Sequence, residues 1–166
     1  DLSALIDQLA LDGTEQIVVL GISMGGAVAI QALDYDDRID AAVAISTFSS
    51  LRGIALDYQE RITGLDWVWL NSFVADRAED MSGLVVDSVN VEAICRRISK
   101  PVFIAHGSND SHIIPEYAER NFAALQSRNK EMYLVEGAGH LSAWRRGGED
   151  LKEALRNFLH GIQVPN

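Results

Sequence analysis

The fold is decided by one stretch of the chain, Ile17-Val18-Val19-Leu20-Gly21-Ile22-Ser23-Met24-Gly25-Gly26-Ala27-Val28-Ala29-Ile30. An apolar run of strand length leads into a Gly-x-Ser-x-Gly turn, and a run of small residues of helical length follows. This order predicts a strand, a sharp turn and a buried helix, with Ser23 exposed at the apex of the turn. We expect the turn to be strained, so that a side chain at Gly21 or Gly25 would collide with the neighbouring backbone.

Apolar runs elsewhere extend this pattern into an α/β fold. Strands are predicted at 16–20, 41–46, 102–105 and 130–135, and helices at 1–11, 90–99, 115–126 and 149–159. The strand 16–20 shows no alternation of apolar and polar residues, which indicates burial on both faces. Strand, helix and strand joined by short links predict a parallel sheet flanked by helices. The 166 residues suit a single domain, 1–166, with a helical lid insertion at about 51–87.

Composition narrows the classes of function. The net charge of −10 and the pI of about 4.7 argue against a nucleic-acid partner. No window of 18 apolar residues predicts a membrane span, and a cytoplasmic location is favoured. A single cysteine, Cys95, excludes an internal disulfide and a cysteine-based zinc site, so we expect a buried structural thiol and no metal.

The chemistry is predicted from the residues that follow the strands. Ser23 follows the first, Asp110 the third and His140 the fourth, and the carboxyl ends of parallel strands gather at one edge of a sheet. A serine hydroxyl needs a base within hydrogen-bond reach, which a histidine supplies near neutral pH. A carboxylate beside that histidine fixes its tautomer. The sequence therefore predicts a catalytic triad of Ser23, His140 and Asp110.

Four other residues compete for these roles. Asp87 also follows a short apolar run and is the rival acid. His106 ends a strand, which favours a packed, hydrogen-bonded histidine over a catalytic base. His112 lies too close to Asp110 in sequence to be a good partner for it, and His160 falls in the last helix, where we expect it to be solvated.

With these residues in hand, the chain resembles the α/β-hydrolase superfamily, in particular its branch of esterases, lipases and serine aminopeptidases with a short helical lid. The matching pieces are Gly-Ile-Ser-Met-Gly-Gly at 21–26, Lys-Pro-Val-Phe-Ile-Ala-His-Gly-Ser-Asn-Asp at 100–110, and Glu-Gly-Ala-Gly-His at 136–140. The resemblance implies Ser23 as nucleophile, Asp110 as acid, His140 as base and the Met24 N–H as one oxyanion donor. It also implies hydrolysis of small carboxylic esters, less often amides or thioesters, without a cofactor.

The same resemblance implies an incomplete fold. Family members carry about four further strands before the helix that matches 1–11, and the second oxyanion donor normally comes from that part. Without them the strand 16–20 would be an exposed edge. Three interpretations follow: a hydrolase whose N-terminal part lies outside this sequence, a chain whose edge is completed by a second copy or a partner, or a non-catalytic binding or assembly module.

Apolar side chains in the lid offer the only hint about the substrate. Trp67, Trp69 and Phe73 are predicted to form an apolar roof over a pocket, although the same residues would also serve as core. As a roof they would bind an apolar acyl or alcohol group.

Overall fold

Four parallel strands form the centre of the structure, a computed structural model in which residues 2–63 and 88–162 are described. The strands are β1 (Val18–Ile22), β2 (Ala41–Ile45), β3 (Val102–Gly107) and β4 (Lys130–Val135), and they lie in the order β1-β2-β3-β4. Each strand pairs with its neighbour in parallel. All four carboxyl ends therefore lie at one edge of the sheet, as the sequence predicted.

Helices cover both faces of this sheet. They are α1 (Leu2–Leu11), α2 (Met24–Tyr35), α3 (Leu51–Thr63), α4 (Val91–Cys95), α5 (Glu116–Ala124) and α6 (Ala143–His160). Alternate residues of β2 and β3 point into two separate cores, because successive side chains of a strand lie on opposite faces. One core joins Ala42, Ala44, Val102 and Ile104 to α1, α2, α4 and α5. The other joins Val43, Ile45, Phe103 and Ala105 to α6.

Two helices differ from their predicted bounds. The helix expected at 90–99 is regular only over Val91–Cys95 and then ends in a tight turn, in which the Arg97 N–H donates to the Ile94 carbonyl at 2.9 Å. The last helix begins at Ala143, earlier than predicted, and is interrupted at Gly148, where φ is +54°. Only glycine adopts this conformation without a steric penalty. The predicted apolar face at 90–99 and the burial of Cys95 are both observed.

The prediction that the first strand is buried on both faces is wrong. Leu20 is 47% exposed and Ile22 is 44% exposed. In the described part of the sheet β1 is an edge strand. The core under α6 is built on β2, β3 and β4, with only Val18 of β1 packed against it, so Leu20 and Ile22 on the same face are left uncovered. An apolar run of this length therefore does not distinguish an edge strand from a central strand.

The predicted lid is described only in part. Helix α3 occupies its beginning, whereas Trp67, Trp69, Phe73 and Asp87 lie outside the described residues. Among the helices that are described, none is both long enough and apolar enough to cross a bilayer.

Candidate active site

Ser23 is the single residue between the end of β1 and the start of α2. Its backbone has φ +57° and ψ −121°. This positive φ lies in the left-handed region, which residues other than glycine rarely adopt. Such strain costs about 1–3 kcal/mol and persists only where the surroundings impose it. They do so here, because the Ser23 N–H donates to the Ile45 carbonyl at 2.8 Å and its carbonyl accepts from the Gly26 N–H at 3.0 Å.

The glycines around Ser23 contribute unequally to this turn. A Cβ on Gly21 would lie 1.9 Å from the Gly25 carbonyl oxygen, and one on Gly26 would lie 2.9 Å from Thr47 Cβ. A Cβ on Gly25 would meet nothing within 4 Å, so the expected collision at Gly25 is wrong. Gly25 lies on the exposed side of the first turn of α2, and only Gly21 faces the backbone that closes the turn.

Two loops at the ends of β3 and β4 carry Asp110 and His140, and they are joined to each other. The Asn109 N–H donates to the Ala138 carbonyl at 2.9 Å, and the Gly137 N–H donates to Ser108 Oγ at 2.8 Å. Gly137 has φ +65°, a conformation that glycine adopts readily and that turns the chain sharply before His140. The acid and the histidine are thus held by one hydrogen-bonded unit.

The three predicted triad residues form a continuous hydrogen-bonded chain. His140 Nε2 lies 2.9 Å from Ser23 Oγ, and His140 Nδ1 lies 2.8 Å from Asp110 Oδ2. An ionised carboxylate only accepts hydrogen bonds, so Nδ1 is the protonated nitrogen. Nε2 then accepts from the Ser23 hydroxyl, which is the arrangement a general base requires.

The charge of Asp110 is stabilised by donors from several directions. Burial by itself raises the pKa of this carboxyl group. Hydrogen bonds from His106, from the Ile113 N–H, from His140 and from the His112 N–H outweigh that effect and lower the pKa from 3.8 to about 2. Asp110 is therefore ionised throughout the neutral range.

The competing histidines occupy different positions. His106 is fully buried, and its Nε2 lies 2.8 Å from the Ile113 carbonyl oxygen and 3.3 Å from Asp110 Oδ2. Its contact with the acid was missed at the sequence level, although a histidine at the end of a buried strand, four residues before an acid, was the available signal. His112 is exposed and stacks on the His140 ring, with ring centroids 5.7 Å apart. His160 is exposed at the end of α6, as expected.

Met24 is the first residue of α2, so its N–H has no acceptor within the helix and lies beside Ser23. The described residues hold no group of three or more His, Cys, Asp or Glu side chains that would suit a metal ion.

An open cleft of about 420 Å³ lies beside His140. Its walls are formed by Ser111, His112, Gly139, His140, Leu141, Ser142 and Arg145. Arg145 is the one arginine or lysine among these wall residues, and none of them carries a carboxylate.

Comparison with solved structures gives the same fold. An esterase of Pyrococcus furiosus superposes with a TM-score of 0.69 at 29% identity, over 98% of this chain and 60% of its own. A monoacylglycerol lipase of Paleococcus ferrophilus gives 0.64 at 24% identity, over 98% of this chain and 73% of its own, and so supports the fold alone. The chain thus spans about 60% of the length of the Pyrococcus esterase. A search of curated proteins returns no match.

A sequence profile of the prolyl oligopeptidase family matches residues 2–162, which is nearly the whole chain. The resemblance to the α/β-hydrolase superfamily is confirmed by this match and by the esterase and lipase structures. The chain belongs to the prolyl oligopeptidase family.

Proposed function

We propose that this chain carries the catalytic residues of a serine hydrolase, with Ser23 as nucleophile, His140 as general base and acid, and Asp110 as the residue that orients His140. The observation that carries the proposal is the relay of 2.9 Å and 2.8 Å from Ser23 Oγ through the imidazole to the Asp110 carboxylate. The strained backbone of Ser23 adds support, because such conformations cluster at active sites.

The reaction proceeds through an acyl-enzyme. His140 Nε2 takes the proton of the Ser23 hydroxyl as Oγ bonds to the carbonyl carbon of the substrate. The imidazolium then gives this proton to the leaving alcohol or amine as the bond from the carbonyl carbon to that group breaks. Water repeats the sequence and releases the acid. Asp110 remains ionised throughout, since its pKa is about 2, and it stabilises the positive charge on His140.

The Met24 N–H is our candidate for one oxyanion donor. It lies at the N-terminus of α2, where the unpaired N–H groups favour negative charge. No second donor is assigned among the described residues. An active site with one donor of the two would turn over about 10²–10³-fold more slowly.

Carboxylic esters are the proposed substrates, on the strength of the Pyrococcus esterase at 29% identity. Peptide or amide bonds are the second candidate, because the matching family is that of prolyl oligopeptidase. The same acyl-enzyme chemistry serves both. The roles of Trp67, Trp69 and Phe73 as an apolar roof remain a prediction, as does the single domain 1–166 with a lid at 51–87.

The wider context of the chain also belongs to the proposal. We infer that the open edge of β1, within the predicted strand 16–20, is covered in the working protein, since Leu20 and Ile22 are each more than 40% exposed there. A further part of the same protein, a partner chain or a second copy would cover it. The competing hypothesis is a non-catalytic binding or assembly module.

Labelling with a fluorophosphonate tests the nucleophile directly, and hydrolysis of p-nitrophenyl butyrate tests turnover. Ser23→Ala should abolish both, while Ser3→Ala, an exposed serine on α1, should leave both unchanged. Peptide mapping should place the phosphonyl group on Ser23. A folded chain that is not phosphonylated would contradict the proposal and favour the non-catalytic module.

A further inference from the structure

His106 is the most deeply buried of the histidines in the described residues. Its side chain has no exposed surface, and its Nε2 is shared between the Ile113 carbonyl oxygen at 2.8 Å and Asp110 Oδ2 at 3.3 Å. Both neighbours are acceptors, so Nε2 carries a proton. Nδ1 is buried and has no hydrogen-bond partner among the described residues.

These contacts determine the charge and the tautomer of the ring. A protonated Nδ1 would leave an N–H group buried without an acceptor, which costs more than an unpaired lone pair. The ring is therefore neutral, with the proton on Nε2. In this form it donates to the acid loop and adds no charge of its own beside Asp110.

The acid loop closes around this donor. The Ile113 N–H donates to Asp110 Oδ1 at 3.0 Å, while the Ile113 carbonyl accepts from His106. The carboxylate is thus held at Oδ1 by backbone N–H groups and at Oδ2 by His140, while His106 faces Oδ2 at 3.3 Å and holds the Ile113 carbonyl. Removing the donor at His106 would release the Ile113 carbonyl and loosen the loop that orients the carboxylate toward His140.

We propose that His106 is a positioning residue for the triad: its Nε2–H donates to the Ile113 carbonyl and faces Asp110 Oδ2, and so holds the acid loop in the position that presents Oδ2 to His140. This inference rests on the proposed function for its catalytic meaning. His106 does not touch the substrate or Ser23. Its role is to keep the acid aligned from the buried side, whereas His112 is exposed and stacks against His140.

The first test needs no variant and no turnover. Nitrogen-15 NMR of the wild-type imidazoles should show His106 with its proton on Nε2 and His140 with its proton on Nδ1. A His106 ring protonated on Nδ1 alone would overturn the proposal, because its Nε2 could not donate to the Ile113 carbonyl or face the Asp110 carboxylate with a proton.

The second test compares three variants of His106 with His160→Gln, an exposed control on α6. A glutamine places its amide nitrogen close to the position of Nε2, an asparagine places it close to Nδ1, and a leucine has no donor. Carbon-13 titration of the carboxyl groups should show the pKa of Asp110 raised by about one unit in His106→Leu and His106→Asn. His106→Gln and the control should stay close to wild type.

The rate of Ser23 phosphonylation should follow the same order. We expect a fall of about tenfold for His106→Leu and His106→Asn, because a misaligned carboxylate orients His140 less well, and a fall of less than about threefold for His106→Gln. If His106→Leu does not fold, the comparison of His106→Asn with His106→Gln decides the matter. Equal losses of thermal stability with an unchanged Asp110 pKa would show a merely structural residue and overturn the proposal.

These readouts separate the two levels of inference. A wild-type chain whose Ser23 is not phosphonylated contradicts the proposed function. The NMR tautomer and the Asp110 titration still decide the contact made by His106 in that case.

Discussion

Replacing Asp110 by asparagine should remove a measurable, pH-dependent part of the stability of the chain. The Asp110 side chain is almost fully buried, and its pKa is lowered from 3.8 to about 2 by the hydrogen bonds that surround it. Oδ1 accepts from the N–H groups of His112 and Ile113 at 2.9 Å and 3.0 Å. An asparagine carbonyl can keep these two bonds, so the variant removes the charge and keeps the shape.

The magnitude follows from the shift in pKa. A difference of nearly two units in the Asp110 pKa between the folded and unfolded chain corresponds to about 2–3 kcal/mol of unfolding free energy. Because the folded pKa lies below the unfolded one, this stabilisation is fully present above about pH 4. It is lost as the pH falls through about 2, where the folded form also becomes protonated.

Urea unfolding between pH 2 and pH 6 measures this contribution. The unfolding free energy of the wild type should fall on acidification by about 2–3 kcal/mol more than that of Asp110→Asn. Asp150→Asn, an exposed carboxylate on α6, should follow the wild type. Parallel curves for wild type and Asp110→Asn would refute the claim that the hydrogen bonds hold Asp110 ionised.

Asp110→Asn should also slow the phosphonylation of Ser23, by up to about 10⁴-fold. The asparagine amide would present a donor to His140 Nδ1, which then has to accept, so its proton moves to Nε2 and the base is lost. An unchanged rate at pH 7 would show that Asp110 does not fix the tautomer of His140.

Three further predictions rest on single contacts. Gly21→Ala should lower the unfolding free energy by about 3 kcal/mol, because its Cβ would lie 1.9 Å from the Gly25 carbonyl oxygen. Gly25→Ala should change the unfolding free energy by less than about 1 kcal/mol. Equal effects of the two variants in urea unfolding would contradict the difference between the two sites. Cys95, whose pKa burial raises to about 12, should resist alkylation at pH 8 until the chain is unfolded by urea, so rapid labelling of the native chain would be evidence against its burial. Arg145→Gln should lower kcat/KM for 4-carboxyphenyl acetate about fivefold relative to the neutral 4-carbamoylphenyl acetate, because His140 protonates the leaving group beside the cleft that Arg145 lines. Arg156→Gln is the control. An unchanged ratio of the two kcat/KM values would exclude Arg145 from the site.

Much of the sheet was predictable from local patterns. The run at 41–46 is apolar and the run at 130–135 ends in Met-Tyr-Leu-Val; both are short and bounded by turn residues, and they form β2 and β4 within one residue of the prediction. The helix at 90–99 was predicted too long, since its apolar face continues to Ile98 although the backbone leaves the helix after Cys95. Periodicity reports which side chains are buried and does not report which backbone bonds are made.

The edge position of β1 lies beyond any local pattern, because its residues are as apolar as those of a central strand, and only the resemblance to α/β-hydrolases implied it. The structure shows which side chains are left uncovered there, Leu20 and Ile22. The free space around Gly25 is likewise a property of the tertiary structure, because it depends on which side of the turn packs against the rest of the chain.

The sequence by itself determined the strand-turn-helix around Ser23 and the order of the strands whose ends carry Asp110 and His140. These are local or sequential properties, set by the bulk and periodicity of neighbouring side chains. The tertiary structure decided the distances of 2.9 Å and 2.8 Å that join the three residues, and it revealed the buried His106 between the Ile113 carbonyl and Asp110. Such contacts depend on how β3 and β4 are paired and on how their loops are tied together, and that information is spread over the whole chain.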